Sequence, residues 1–129
     1  MSEIPDGLRY TEEHEYLTPT DDSGVYQIGI TDYAQGELGD VVFVELPTVG
    51  DNFEKKATFG TIEAVKAVSD LYCPLSGKIV AVNESLDDDP SVVNSDPYGA
   101  GWMIRLRVDD EAAVDALMDG AAYRALVGE

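Results

Sequence analysis

The stretch that decides the fold runs from residue 60 to residue 77 and reads Gly60-Thr61-Ile62-Glu63-Ala64-Val65-Lys66-Ala67-Val68-Ser69-Asp70-Leu71-Tyr72-Cys73-Pro74-Leu75-Ser76-Gly77. Strand-like sequence lies on both sides of residues 65–67, which predicts a β-hairpin with Lys66 at its tip. A lone lysine in a turn is usually only a solvated charge. Here, however, the tip is apolar and the nearest acids, Glu63 and Asp70, stand at its edges. A lysine that projects from a rigid turn can attack an activated acyl group without unfolding of the chain, so the hairpin suggests covalent modification.

Further strands are predicted on both sides of this hairpin, because apolar side chains alternate with others at a period of two. The alternating sets are Tyr26, Ile28 and Ile30; Val42, Val44 and Leu46; and Trp102, Ile104, Leu106 and Val108. A shorter strand is predicted over residues 79–82, after the turn sequence Pro74-Leu75-Ser76-Gly77. Several short strands separated by Gly/Pro turns predict a mostly β sandwich or flattened barrel.

Helices are predicted to be few and short. Thr31 is a candidate N-cap for a turn that ends near Gly36 or Gly39. Asp89 followed by Pro90 predicts another helix start, and the acid run at 87–89 is interpreted as a solvated loop. Residues 110–118 predict a helix that stops at Gly120, and a second helical piece is expected over 121–126.

The composition limits the classes of function. The 129 residues include 26 Asp+Glu and 8 Lys+Arg, which gives a formal charge of -18 and a pI near 4.1. Nucleic acids and anionic membrane surfaces would repel such a chain, so neither is an expected partner. Hydrophobic residues make up 44%, which is enough to bury a core, and one domain spanning residues 1–129 is expected. No apolar run reaches membrane-spanning length, the start Met1-Ser2-Glu3-Ile4-Pro5-Asp6 does not resemble a signal peptide, and a cytoplasmic location is expected.

The acid excess has two interpretations. It is either a solvated surface that keeps the protein dispersed, or an adaptation to high salt in which many carboxylates and only four lysines keep the surface hydrated. We favour the halophilic interpretation, which concerns habitat rather than activity.

Catalytic and metal-binding residues are scarce. His14 is the only histidine and Cys73 the only cysteine, so multi-histidine and Cys-x-x-Cys metal sites are unavailable and no metal is expected. His14 lies between two glutamates and is more simply explained as a surface or structural residue than as a general base. Cys73 has no basic neighbour in sequence that would lower its pKa, so a passive thiol is expected. No catalytic residue is predicted.

Five segments together resemble the glycine cleavage system H protein family. They are Tyr10-Thr11-Glu12-Glu13-His14-Glu15-Tyr16-Leu17; Gly29-Ile30-Thr31-Asp32-Tyr33-Ala34-Gln35 with Leu38 to Pro47 after it; Glu63-Ala64-Val65-Lys66-Ala67, which is similar to the lipoyl-attachment motif; Pro74 to Asn83; and Asn94 to Met103. The resemblance covers about residues 7–126 in the family's order. It implies a hybrid barrel-sandwich of two antiparallel sheets, like that of lipoyl domains, with short helices that include a C-terminal one.

The resemblance also implies a carrier rather than an enzyme. Lipoic acid would be joined in amide linkage to Lys66 by a lipoate ligase or lipoyl transferase. The lipoyl arm would take the aminomethyl group of glycine from the P protein (glycine decarboxylase) to the T protein (aminomethyltransferase). The L protein (dihydrolipoyl dehydrogenase) would then reoxidise it.

Two acids match positions that line the arm cleft in the family, namely Glu15 and Asp70. A partly desolvated carboxylate could hold the ammonium of the cargo, and exclusion of water would protect the cargo from hydrolysis. Two neighbours depart from the family pattern. Tyr16 replaces a frequent Trp and is expected to keep an aromatic wall, whereas Glu13 replaces a smaller residue. Trp102 is interpreted as a core residue.

Several alternatives stay open at this point. A biotin carrier domain also has a lysine at a hairpin tip, although biotin acceptors usually place Met on both sides of it, where Val65 and Ala67 stand here. An H-like protein that relays lipoyl groups to other enzymes would use the same lysine. An unmodified binding module and a small hydrolase built around His14 are the remaining candidates.

Overall fold

The computed structural model describes residues 3–129, in which β-strands are the main regular structure. Met1 and Ser2, the start of the segment considered as a signal peptide, lie outside the described residues. The strands are β1 (Arg9–Tyr10), β2 (Glu15–Pro19), β3 (Val25–Ile30), β4 (Val41–Glu45), β5 (Asn52–Phe53), β6 (Thr58–Ala64), β7 (Val68–Tyr72), β8 (Gly77–Val82) and β9 (Ile104–Val108).

These strands form two antiparallel sheets, which confirms the predicted mostly β architecture. One sheet has six strands in the order β1-β2-β3-β9-β8-β5, and the other has three in the order β4-β6-β7. The main cluster of buried side chains draws on both sheets, with Ile28, Ile79 and Leu106 from the larger one and Val44 and Ile62 from the smaller one. Removing this apolar surface from water is the main source of stability for such a sandwich.

The predicted alternation holds in one strand and fails in another. In β9, Ile104, Leu106 and Val108 are buried while the two intervening arginines are exposed. In β4 the pairing with β6 shifts between Val41 and Phe43, which is a β-bulge. Because a bulge changes which face the following side chains occupy, Val42 and Phe43 are both exposed, whereas strict alternation predicts Val42 on the buried face.

The residues before β9 also differ from the prediction. Met103 is fully buried although alternation predicts it to point outward, because the strand begins only at Ile104. Trp102, expected in the core, is only partly buried. The guanidinium carbon of Arg105 lies 4.6 Å from the centroid of its ring, so Trp102 forms a cation–π contact at the surface.

The first helix starts where the sequence predicts it, whereas the other helices differ from the prediction in their bounds. Helix α1 (Asp32–Leu38) is capped by the Thr31 side chain, which accepts a hydrogen bond from Ala34 N, and ends at Gly39. The acid run 87–89 is not a loop, because Asp87 and Asp88 belong to α2 (Ser85–Asp88). Helix α3 (Val92–Ser95) starts later than the predicted cap at Asp89.

At the C-terminus, a 3-10 helix (Glu111–Ala116) replaces the predicted α-helix. Gly120 does not end a helix but begins α4 (Gly120–Val127), because Asp119 acts as N-cap by accepting from Ala122 N. Tyr123 of α4 stacks on Tyr10 with ring centroids 4.8 Å apart, in a small second cluster of buried residues that includes Tyr16. This contact fixes α4 against β1, which pairs with β2. Among the described residues, no helix has the length and apolar character needed to cross a membrane.

Candidate functional site

The predicted hairpin is present and its tip is tight. Strands β6 and β7 pair antiparallel with Glu63 opposite Val68, and residues 65–67 form the connection. Ala64 N donates to Ala67 O at 2.7 Å and Ala67 N donates to Ala64 O at 3.4 Å, which closes the turn. Lys66 is therefore held at the end of a short, hydrogen-bonded loop.

The tip is also tied to the loop between α1 and β4. Val65 N donates to Asp40 O at 2.9 Å. Asn94 of α3 stabilises that loop from behind, since its Nδ2 donates to Gly39 O at 2.8 Å and its Oδ1 accepts from Val41 N at 2.9 Å. The backbone that carries the lysine is thus fixed by groups distant in sequence.

The Lys66 side chain itself is exposed. Within residues 3–129 it makes no hydrogen bond or ion pair, so its amine is available for reaction. Its methylene stem lies against Gly39, where an added Cβ would come within 3.1 Å of the lysine Cε. Gly39 has a φ of 81°, a conformation that favours glycine, and it leaves the space along which the stem runs.

A cleft of about 340 Å³ lies between the smaller sheet, α1 and the start of β2. Its walls combine apolar side chains with four carboxyl groups: Ile30, Tyr33, Ala34, Leu38, Ile62 and Leu71 on the apolar side, and Glu13, Glu15, Glu37 and Asp70 on the acidic side, together with His14 and Ser69. No Lys or Arg lines it, so the cleft suits a ligand with a hydrocarbon part and a positive charge. The two predicted cleft acids line the same cavity.

Glu15 is buried, with a relative exposure of 1%. Thr11 Oγ1 donates to Glu15 Oε1 at 2.9 Å, and Glu15 N donates to Thr11 Oγ1 at 3.1 Å. Burial raises the pKa of the Glu15 carboxyl from 4.5 to about 8, and the hydrogen bond from Thr11 only partly opposes this. Near neutral pH the Glu15 carboxyl is therefore mostly protonated.

Asp70 differs from Glu15 in its environment. It lies on β7, the edge strand of the smaller sheet, and its side chain is exposed. It pairs with Thr61 across the sheet and stands four residues from Lys66. Asp70 therefore provides a solvated charge at the rim, whereas Glu15 lies at the buried wall.

His14 is half-buried in the cleft wall, and its side chain is hydrogen-bonded within the fold. Its Nδ1 lies 2.7 Å from the Tyr123 hydroxyl, which lies 2.7 Å from Thr31 Oγ1. Its φ of 70° is uncommon for a residue with a side chain. Burial lowers the pKa of His14, so the ring is neutral near pH 7. These contacts connect the cleft to helix α4.

Two further predictions concern neighbouring residues. Cys73 is buried, its Sγ donates to Leu75 O at 3.1 Å, and burial raises its pKa to about 11, as expected for a passive thiol. Tyr16, expected to form an aromatic wall, belongs to the core instead, where its hydroxyl donates to Pro97 O at 2.6 Å. Tyr33 is the aromatic residue that lines the cleft. In the part of the chain that the structure describes, no three potential ligands cluster to hold a metal ion.

Sequence reasoning missed the contribution of α1. Tyr33, Ala34, Glu37 and Leu38 all line the cleft. Their spacing places them on one face of a helix, and Thr31 marks the helix start, so the signal was present in the sequence. What the sequence did not show was that this face is directed at β2 and β7.

Comparisons with known proteins agree with this geometry. The family model described as Glycine cleavage H-protein matches residues 8–129. The chain is 52% identical to the glycine cleavage system H protein of Chlorobium limicola over 126 residues, which cover 98% of each chain. It is 55% identical to the protein of that name from Chromohalobacter salexigens, covering 98% of this chain and 96% of the relative.

A solved structure gives the same result. The crystal structure of a glycine cleavage system H protein from Mycobacterium marinum superposes with a TM-score of 0.88 at 38% sequence identity, covering 98% of this chain and 100% of that one. The sequence matches, the sandwich of two antiparallel sheets and the lysine hairpin beside an acidic cleft agree with one another. The chain belongs to the glycine cleavage H-protein family, the lipoyl carriers of the glycine cleavage system, and is a carrier component rather than an enzyme.

Proposed function

We propose that Lys66 is the residue of this carrier that bears lipoate, in amide linkage to its Nζ. The observation that carries the proposal is the unpaired, exposed amine on a hairpin tip that hydrogen bonds hold in place. A fixed tip presents the amine to an activated acyl group and later fixes the origin from which the arm swings. Replacement of so exposed a side chain leaves the core unchanged.

The cleft beside the hairpin fits a lipoyl arm and its cargo. When attached, the lipoyl group supplies the dithiol chemistry by which the aminomethyl group passes from the P protein to the T protein, with reoxidation by the L protein. The apolar walls, which include Ile62 and Leu71, bury a hydrocarbon chain and exclude water. The family match supports a lipoyl carrier and does not support the biotin alternative.

Glu15 and Asp70 are proposed to hold the ammonium of the cargo. Burial disfavours the charge of Glu15, so its carboxyl is protonated near neutral pH. A cation that enters the cleft favours the carboxylate, so we expect Glu15 to give up its proton when cargo arrives and to regain it when cargo leaves. Asp70 attracts the cation at the rim, with less energy because water screens it.

The wider setting follows from the family. We propose that residues 1–129 act as one domain, since the main core draws on both sheets. The partners are the P, T and L proteins and the lipoate ligase or lipoyl transferase. A cytoplasmic location is proposed because the relatives are bacterial proteins of the same system.

Intact mass spectrometry of the protein from its native cell, followed by peptide mapping, tests the proposal. We expect a mass increase of one lipoyl group on the peptide that contains Lys66. A biotinyl mass increase, or a lipoyl group on any of the other three lysines, would contradict it. Protein made where ligase or lipoate is lacking is unsuitable for this test, because its lysine can stay bare.

A further inference from the structure

Exposed apolar side chains are concentrated around Lys66. In residues 3–129, six large hydrophobic side chains are exposed. Val49 (55%) and Leu126 (49%) stand apart from the hairpin, and the other four are close to its tip: Val42 (52%), Phe43 (44%), Val65 (74%) and Val68 (68%). Single exposed apolar residues are ordinary, but a cluster of them marks a contact site. We name these four residues the tip patch.

The strand register places Phe43 and Val68 on one face of the smaller sheet, with the exposed carboxylate of Glu63 between them. Phe43 of β4 is opposite Glu63 of β6, and Glu63 is opposite Val68 of β7, so the three side chains form one row across the outer face of the smaller sheet. The bulge at β4 turns Val42 outward beside this row. Val65 stands at the tip, where its amide bonds to Asp40 O.

The tip patch does not serve the core or the cleft. All four side chains are exposed, and none of them lines the cleft. A protein bound to the patch would therefore leave the cleft open. Glu63 lies within the patch, and the exposed acids Asp40 and Glu45 adjoin it, so the complementary surface would be apolar with basic side chains at its centre and border.

We propose that the tip patch is the docking surface for the enzyme that attaches lipoate to Lys66, a proposal that rests on the proposed modification. In the attachment step, the neutral amine of Lys66 attacks the acyl carbon of an activated lipoyl donor. The C–N bond forms as the bond to the activating group breaks, and the nitrogen releases one proton. The attaching enzyme must reach Nζ itself, whereas enzymes that act on a finished arm need to reach only its far end. A surface directly beside the tip thus fits the attaching enzyme better than the later partners.

Lipoylation kinetics of the full chain test the proposal. The test variant is Val65→Ser with Val68→Ser, and the controls are Val49→Ser and Leu126→Ser, which remove exposed apolar side chains elsewhere. With purified ligase and activated lipoate, we expect kcat/KM of the test variant to fall about tenfold or more, mainly through KM. The controls should stay within about twofold of the unsubstituted chain, and thermal melts should show all three variants to be folded.

Binding gives a readout that is independent of the reaction. In a chain with Lys66→Arg, which cannot be lipoylated, the same two serines should raise the Kd for the ligase by a similar factor. Equal kinetics and affinities for test and control variants would overturn the docking proposal while leaving Lys66 as the modified residue. Loss of self-association in the test variant would also overturn it, because the tip patch would then bind a second copy of the chain. Slower glycine cleavage with unchanged lipoylation would overturn it as well, because the patch would then bind a later partner. An unsubstituted chain that the ligase never modifies would overturn both proposals.

Discussion

The hairpin tip and the Glu15 wall of the cleft are close in space but opposite in character. At the tip, Lys66 and its apolar neighbours are exposed, and only backbone hydrogen bonds hold the loop. At the wall, Glu15 is buried, hydrogen-bonded to Thr11, and has a raised pKa. The group proposed to bear lipoate thus lies away from the core, and the group proposed to shield cargo lies inside the protein.

This division has an energetic consequence. Exposed side chains contribute little to stability, so the tip is free to serve recognition and modification. A buried carboxyl costs stability when it ionises, so the proposed role of Glu15 would link cargo binding to the free energy of folding. The predictions below separate these two kinds of effect.

The largest effect is expected from Lys66→Arg. Lipoylation and glycine cleavage should be lost completely, because a guanidinium stays protonated and is not an acyl acceptor. The midpoint of thermal unfolding should stay within about 2 °C, since surface substitutions usually change stability by less than about 0.5 kcal/mol. The matched control is Lys78→Arg, an exposed lysine on β8, which should be lipoylated normally. Lipoylation of the Lys66→Arg chain at any residue would defeat the assignment.

The next largest effect is expected at the wall. Glu15→Gln keeps the shape of the side chain but cannot become an anion, so the cargo ammonium loses a charge-assisted hydrogen bond worth roughly 1.5–3 kcal/mol. Loss of the aminomethyl group from the loaded protein should accelerate about 10- to 100-fold, measured by mass spectrometry over time. Asp70→Asn should accelerate it less, because Asp70 is exposed. Equal effects of the two substitutions would remove the distinction between wall and rim.

A different kind of effect is expected in the pH dependence of stability. Below pH 4.5 the Glu15 carboxyl is protonated in both folded and unfolded chains. Between pH 4.5 and about 8 the unfolded chain loses this proton while the folded chain keeps it, so this group lowers the free energy of unfolding as pH rises, by at most about 1.4 kcal/mol per pH unit. Urea titrations should show this component in the unsubstituted chain and not in Glu15→Gln. Parallel pH curves for the two would show that Glu15 ionises normally in the fold.

A more local effect is expected for Asn94→Ala, which removes the side chain that bonds Gly39 O, Val41 N and Gln35 Oε1. Stability should fall by about 1–3 kcal/mol, because Asn94 is partly buried and its loss leaves several hydrogen-bonding groups without their partner. The specific sign of a loosened tip would be faster hydrogen exchange at Val65 N, whose acceptor is Asp40 O. Asn83→Ala is the control, because Asn83 bonds the loop at residues 100–102 instead. If Val65 exchanges equally fast in both variants, Asn94 does not position the tip.

The sequence predicted the tip better than the wall, for physical reasons. The hairpin depends on local strand pattern and turn length, and both are visible within residues 60–77. The burial of Glu15 depends on the packing of β2 against β7 and α1, which no local sequence pattern predicts. The motif match assigned Glu15 and Asp70 the same role, and only the fold shows that Glu15 is buried and Asp70 is exposed.

The errors elsewhere have similar causes. The bulge in β4 turned Val42 outward, and a one-residue shift of this kind depends on pairing with β6 rather than on composition. Gly120 was expected to stop a helix, but the Asp119 cap and contacts of Tyr123 with Tyr10 and His14 make it the first residue of α4. Distant contacts therefore overrode local preferences at both places.

The smallest changes are expected in a salt series, which should affect the exposed surface and the cleft differently. Raising ionic strength from 0.1 M to 1 M shortens the screening length from about 10 Å to about 3 Å, which weakens interactions among exposed charges far more than those of buried groups. The net charge of -18 makes mutual repulsion strong at low salt, so stability and glycine cleavage should rise with salt if the acid excess is a salt adaptation. Loss of cargo from the loaded protein should change by less than about twofold over the same series, because Glu15 acts inside the cleft. Equal stability and turnover at low salt would show that the surface acids serve solubility alone. A strong salt effect on cargo loss would instead place the protecting charge at the exposed rim, with Asp70 in the part assigned to Glu15.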